Sequence, residues 1–273
     1  MELEELFDTL KAHREGAHMA HVYYGDPCED FSVKLIETLA EAGADIIEFG
    51  IPFSDPIADG PIFQAACERA LNAEVTPAKC LEGIRRLRSQ GIEAPIILTT
   101  YFNVPYAMGL ERFFDEARNA GVQGILIPDL PIEEAEPFIG VTRKRGLQLI
   151  LQVAPTTSAK RLKRILTHAS GFIYLIGLEG VTGSQMKNQK ATAKLIRNVK
   201  KWTDTPLIVG FGISKAEHAE ALITAGADGV VVGSAYARIY AENLDNPFRK
   251  LPEIARLARE IKLGCIRGYA ARP

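Results

Sequence analysis

The segment DIIEFGIPFSDPIADGP (45–61) holds the residues best suited to chemistry. Glu48 stands within a short apolar, β-branched run. Side chains of an extended chain alternate between faces, so Ile47 and Phe49 share one face and Ile46 and Glu48 the other. Either face, toward a barrel interior or toward covering helices, is expected to be apolar, and a carboxylate is almost never fully buried without a partner. Desolvation raises a carboxyl pKa and suits the group to pass protons both ways near neutrality. Eleven residues on, Asp59 lies in a loop whose conformations Pro52, Pro56, Gly60 and Pro61 restrict. Asp55 and Asp59 could therefore be held in place, although a turn or helix cap is the plainer role for a loop aspartate. Two carboxylates near one strand end would form an acid–base pair. Pro61 fits the first position of a following helix.

Three later segments place glycine where strands end: GLEGVTGS (177–184), GFGIS (210–214) and GSAYA (233–237). None has the spacing of a dinucleotide fingerprint or a P-loop. Glycine lets backbone N–H groups approach an anion, and a helix N-terminus adds a favourable dipole. A phosphate is the expected ligand; tight turns are the plainer alternative. TGSQMKNQKATAK (182–194) is a candidate lid. Tyr101 and Tyr174 lie at or near strand ends, where they could line a flat aromatic pocket or pack in the core.

Positioning these groups requires strands. Apolar runs at 18–24, 45–50, 95–100, 124–129, 147–153, 172–177, 206–211 and 229–234 alternate with segments whose apolar residues recur three and four apart. Strands that are almost wholly apolar are expected in a parallel sheet covered by helices. AGAD (42–45), AGVQ (120–123) and AGAD (225–228) each close a helical pattern and open a strand, glycine supplying the left-handed turn. A closed barrel and an open doubly wound sheet both place function at the C-terminal ends of strands. Eight units with no linker or composition shift favour one (β/α)8 TIM barrel over residues 1–273, with an extra N-terminal helix. GFGIS and GSAYA then follow strands seven and eight, where such barrels frequently bind phosphate.

Composition narrows the function classes. The 32 basic and 34 acidic residues give a net charge of -2, with no electrostatic footprint for nucleic acid or an anionic membrane. No run approaches a membrane span. MELEELFDTLKAHREGA is charged and amphipathic, unlike a secretory signal. Cys28, Cys67, Cys80 and Cys265 have neither CxxC nor zinc-ligand spacing, so free thiols in the cytoplasm and no metal site are expected.

The sequence resembles the tryptophan synthase alpha subunit family along nearly its whole length. The likeness is carried by GDP (25–27), AGADIIEFGIPFSDPIADGP (42–61), IPDLP (127–131), EGVTG (179–183), VGFGIS (209–214) and AGADGVVVGSA (225–235). The resemblance implies retro-aldol cleavage of indole-3-glycerol phosphate to indole and glyceraldehyde 3-phosphate, without a cofactor. It implies Glu48 as the acid–base group at indole C3 and the glycerol hydroxyl, and Asp59 as the partner of the indole N–H. It further implies Tyr101 and Tyr174 as pocket tyrosines and Gly183, Phe211, Gly212, Gly233 and Ser234 around the phosphate. Thr182 would be the lid threonine, and a pyridoxal-phosphate beta subunit the partner in an alpha2beta2 assembly, with residues 52–56 on the docking surface. The sequence departs from the family at His21, usually apolar and often Phe, at Leu178 and Glu179, and at Val104. Other expectations in play are a stand-alone lyase releasing free indole, another phosphate-sugar barrel isomerase or synthase, and a non-catalytic barrel that activates a partner.

Overall fold

Short apolar strands leave both faces unsatisfied unless a sheet closes and helices cover it. The computed structural model does both; it describes residues 1–177, 185–210 and 212–272, without the side chains of 185–189. The strands are β1 (Ala17–Tyr23), β2 (Ile46–Gly50), β3 (Ile96–Thr99), β4 (Gly124–Leu126), β5 (Gln148–Val153), β6 (Ile173–Ile176), β7 (Leu207–Gly210) and β8 (Gly229–Val232). All pair in parallel and in chain order, and β8 pairs with β1 to close the barrel. The open doubly wound sheet is thereby excluded.

Strand alternation now has definite directions. Ile47 and Phe49 pack outward against the helices. Ile46 joins Met19, Ile97, Leu126, Ile150, Ile208 and Val231 inside the barrel. Glu48, on the face of Ile46, therefore points inward. The expected N-terminal helix, Leu3–His13, sends Leu3, Leu6 and Leu10 into the same interior cluster with Phe172. It seals the N-terminal end of the barrel, so polar access is confined to the C-terminal ends of the strands.

The three AG repeats do more than turn the chain. Gly43, Gly121 and Gly226 have positive φ, as the sequence pattern requires. The last residue of each repeat also bonds sideways to a neighbouring strand. Asp45 accepts from His18 N at 2.7 Å, Gln123 from Ile96 N at 2.8 Å and Asp228 from Leu207 N at 2.8 Å. A cation backs each acceptor: Lys262 on Asp45, Arg88 on Gln123 and Lys200 on Asp228. The repeat thus satisfies strand-start N–H groups at β1, β3 and β7, where a buried orphan donor would be costly.

Gln123→Ala is therefore expected to lower stability by about 1–3 kcal/mol, because Ile96 N–H loses its acceptor. Glu116→Ala, which removes only an exposed pair with Arg112, is expected to change it by less than about 0.5 kcal/mol. Urea unfolding of the two variants measures the contrast.

Candidate active site

A cavity of about 280 Å3 opens at the C-terminal end of the barrel. Of the expected site residues it brings together Glu48, Asp59, Tyr174, Gly212, Gly233 and Ser234. Thr182, Gly183 and Phe211, with Leu178 and Glu179, lie outside the described residues. His21, Tyr23, Phe63, Thr99, Gln152 and Arg238 complete much of the wall.

Glu48 is 1% exposed, opposite His21 across the β1–β2 register. The Thr99 hydroxyl donates to Glu48 Oε1 at 2.8 Å, while Oε2 is buried without a hydrogen-bond partner among the described residues. Burial pushes the Glu48 pKa up to about 8; the Thr99 hydrogen bond opposes the rise and the Asp59 charge adds to it. His21 Nδ1 stands 3.5 Å from Glu48 Oε1. This proximity is not an ion pair, because burial lowers the His21 pKa to about 3 and leaves the ring neutral. At neutral pH two uncharged groups face each other.

Asp59 reaches the cavity on the proline-restricted loop, just ahead of the helix Pro61–Asn72, which begins at Pro61 as expected. Tyr23 and Tyr101 both donate to Asp59 Oδ2 at 2.6 Å. Burial raises the Asp59 pKa, and the two phenol hydrogen bonds oppose that rise by favouring the carboxylate. Tyr101 is buried and does not line the cavity: it stands behind Asp59, also accepting from Ala58 N at 3.1 Å. Its role in this structure is to fix the loop and the carboxylate. Tyr174 does line the wall, from β6, and burial together with the charges of Glu48 and Asp59 keeps its phenol protonated.

The glycine-rich exits behave differently from one another. A side chain at Gly233 would meet the Phe63 ring at 2.4 Å and His21 Cβ at 2.9 Å, so close packing alone demands glycine there. Gly212 has open space around it and lines the cavity. Ser234 opens the helix Ser234–Ala241, and Arg238 follows one turn later at the cavity wall. Backbone N–H groups at a helix start and a guanidinium together suit a phosphate dianion.

The frame behind the site is tied by Asp26 of the GDP segment. Arg69, on the helix after Asp59, binds the buried Asp26 carboxylate through two nitrogens at 2.6 and 2.8 Å. Tyr240, on the helix after β8, donates to the same group. One carboxylate therefore joins the loop after β1 to the elements carrying Asp59 and Ser234.

Among the described residues no group of three or more His, Cys, Asp and Glu side chains could hold a metal ion. No helix among them is long and apolar enough to cross a membrane.

Residues 7–265 match the family model for the tryptophan synthase alpha chain. The tryptophan synthase alpha chain of Methanocaldococcus jannaschii is 45% identical over 245 residues, covering 90% of this chain and 86% of that one. The chain belongs to the tryptophan synthase alpha chain family. Its fold agrees: a crystal structure of the alpha subunit from Legionella pneumophila superposes with a TM-score of 0.88 at 33% identity, covering 97% of this chain and 98% of that one. A chain from the tryptophan synthase complex of Pyrococcus furiosus gives a TM-score of 0.82 at 34% identity, covering 90% and 98%. As a family member the protein is a lyase of tryptophan biosynthesis on a TIM barrel.

Sequence reasoning missed Tyr23 and Thr99. Alternation offered a signal, since Tyr23 lies two residues beyond His21 on the inward face of β1 and Thr99 two beyond Ile97 on that of β3.

The raised Glu48 pKa sets a pH dependence of stability. Between the ordinary value of 4.5 and about 8, the folded state keeps a proton that the unfolded chain has lost. Stability falls as pH rises through that window. Glu48→Gln removes the penalty, so its Tm is expected to exceed that of wild type at about pH 8.5 and to match it at about pH 4.5. Equal offsets at both pH values would contradict the assignment.

Proposed function

We propose that Glu48 and Asp59 carry out retro-aldol cleavage of indole-3-glycerol phosphate, releasing indole and glyceraldehyde 3-phosphate. The observation that carries this reading is a buried carboxyl whose Oε2 has no hydrogen-bond partner among the described residues, beside a second carboxylate braced by two phenols.

The chemistry follows from those states. Protonated Glu48 gives its proton to indole C3, and positive charge develops at the ring nitrogen. The Asp59 carboxylate accepts the ring N–H and stabilises that charge; its Oδ1 is free of hydrogen bonds among the described residues because both phenols bind Oδ2. Glu48, now a carboxylate, takes the proton of the hydroxyl on the carbon attached to the ring. The O–H electrons form the aldehyde carbonyl, the carbon–carbon bond breaks, and its electrons restore the aromatic ring. Glu48 ends protonated, as it began. A pKa near neutrality favours a group that must act as acid and then as base. The remote phosphate, held by Gly212, the Gly233–Ser234 helix start and Arg238, supplies binding energy that positions the reacting atoms.

The partner we assign is a beta subunit in an alpha2beta2 assembly. The Pyrococcus furiosus structure is of a tryptophan synthase complex, and the exposed Ser54 and Asp55, with exposed Ile57 just beyond them, suit the 52–56 loop to docking beside the cavity. A cytoplasmic location and one catalytic domain over residues 1–273 belong to the same proposal.

Indole release by purified protein, with and without a beta subunit, tests the reading. Glu48→Gln is expected to lower kcat at least about 10²-fold, the lower end of general acid–base contributions. Equal turnover by the variant would overturn the assignment. In the same assay Ser234→Asp, which places a negative charge at the helix start without the clash expected at Gly233, is expected to raise KM about tenfold or more and to change kcat little. An unchanged KM would move the phosphate elsewhere.

A further inference from the structure

Two of the buried polar atoms that lack partners among the described residues belong to adjacent residues of the cavity wall: Glu48 Oε2 and His21 Nε2. Unpaired buried polar atoms are few in native proteins and call for a reason. For Glu48 Oε2 the reason is proton exchange with substrate. Packing explains a ring at position 21, but neither packing nor solvent explains the polarity of the His21 side chain. It is polar, nearly inaccessible and pressed between the Phe63 ring at 4.5 Å and the Tyr23 ring at 5.0 Å.

The neighbours of His21 limit its tautomer. A neutral imidazole has one N–H donor and one acceptor nitrogen. Nδ1 faces Glu48 Oε1, an acceptor already holding the Thr99 hydroxyl. With the acid proton of Glu48 on Oε2, or with Glu48 ionised, a proton on His21 Nδ1 makes the facing pair donor and acceptor, whereas a proton on Nε2 would set two lone pairs against each other. At 3.5 Å the contact is longer than a good hydrogen bond. It therefore does little for a neutral carboxyl and has room to shorten when Glu48 becomes a carboxylate.

We propose that His21 is a positioning residue for the acid–base group: its Nδ1–H, with the Thr99 hydroxyl, forms a two-donor seat that stabilises Glu48 in the transient carboxylate form and leaves Oε2 as the proton-exchanging oxygen. This deepens the lyase reading and rests on it. The groups facing Glu48 are His21 from β1, Thr99 from β3, the Asp59 carboxylate from the loop after β2 and the Tyr174 phenol from β6; Arg238, from the helix after β8, lies on the same cavity wall. Of these, only His21 and Thr99 approach Oε1. Asp59 acts on Glu48 in the opposite sense, since a neighbouring negative charge disfavours the carboxylate. The seat offsets part of that repulsion when both groups are charged.

Two measurements test the proposal, and only the second needs turnover. In wild type, 15N NMR of the His21 ring is expected to show Nδ1–H and a neutral ring throughout the neutral range. An Nε2–H tautomer or an imidazolium at about pH 7 would overturn it. In pH profiles of kcat, His21→Phe keeps an aromatic ring against Phe63 and Tyr23 but removes the donor. The limb assigned to Glu48 is expected to move up by about one pH unit, with KM within about threefold of wild type. His21→Asn, whose side-chain N–H2 occupies the place of Nδ1, is expected to bring the limb back. A purely structural histidine would lower activity in both variants without moving the limb, and that result overturns the proposal. If wild type does not cleave the substrate, the lyase reading fails, and the 15N result still decides the tautomer.

Discussion

Taking a carboxyl group out of water is the constraint around which this barrel is organised. An isolated carboxylate in an apolar interior is too costly to persist, so the group either gains donors or stays protonated. Glu48 has one firm donor, Thr99, and one distant one, His21, while Asp59 opposes its ionisation. The balance leaves it protonated at neutral pH but close enough to ionisation to give up its proton. Every neighbouring strand contributes to that balance through register: β1 brings His21 opposite Glu48, and β3 brings Thr99.

The second carboxylate is handled in the opposite way. Asp59 sits on a loop, is only partly buried and receives two phenol hydrogen bonds on one oxygen. Those donors favour charge where burial disfavours it. Pairs of titratable groups whose surroundings push them apart divide acid and base roles between them. The division here depends on rigid supports: Tyr23 from a strand, Tyr101 from the end of the next strand but one, and the Asp26–Arg69–Tyr240 network beneath. A loop without them would let Asp59 turn to solvent.

Much of this was legible in the sequence because it depends on local pattern. Period-two alternation separated Glu48 from Ile47 and Phe49, and the eight apolar runs fixed the number of strands. Pro61 marked a helix start from its own conformational restriction. What alternation could not supply was which face points inward, because interior and outer layer are both apolar; closure of the β8–β1 pair decides that. Alternation could place Tyr23 and Thr99 on inward faces, but the partners of Tyr23, Thr99 and Tyr101 come from distant segments, which no spacing records. Gly233 was legible only as a glycine, since phosphate approach and the tight contact with Phe63 demand the same residue. The AG repeats read as turns, while their fourth residues proved to be side-chain acceptors for neighbouring strands.

The chemistry proposed for Glu48 requires it to rest as a neutral acid inside the barrel. A 13C NMR titration of its side-chain carboxyl in the ligand-free protein tests this most directly. The midpoint is expected at about 8. A midpoint at the ordinary carboxylate value of about 4.5 would mean that the group is already ionised at neutral pH and cannot donate the first proton.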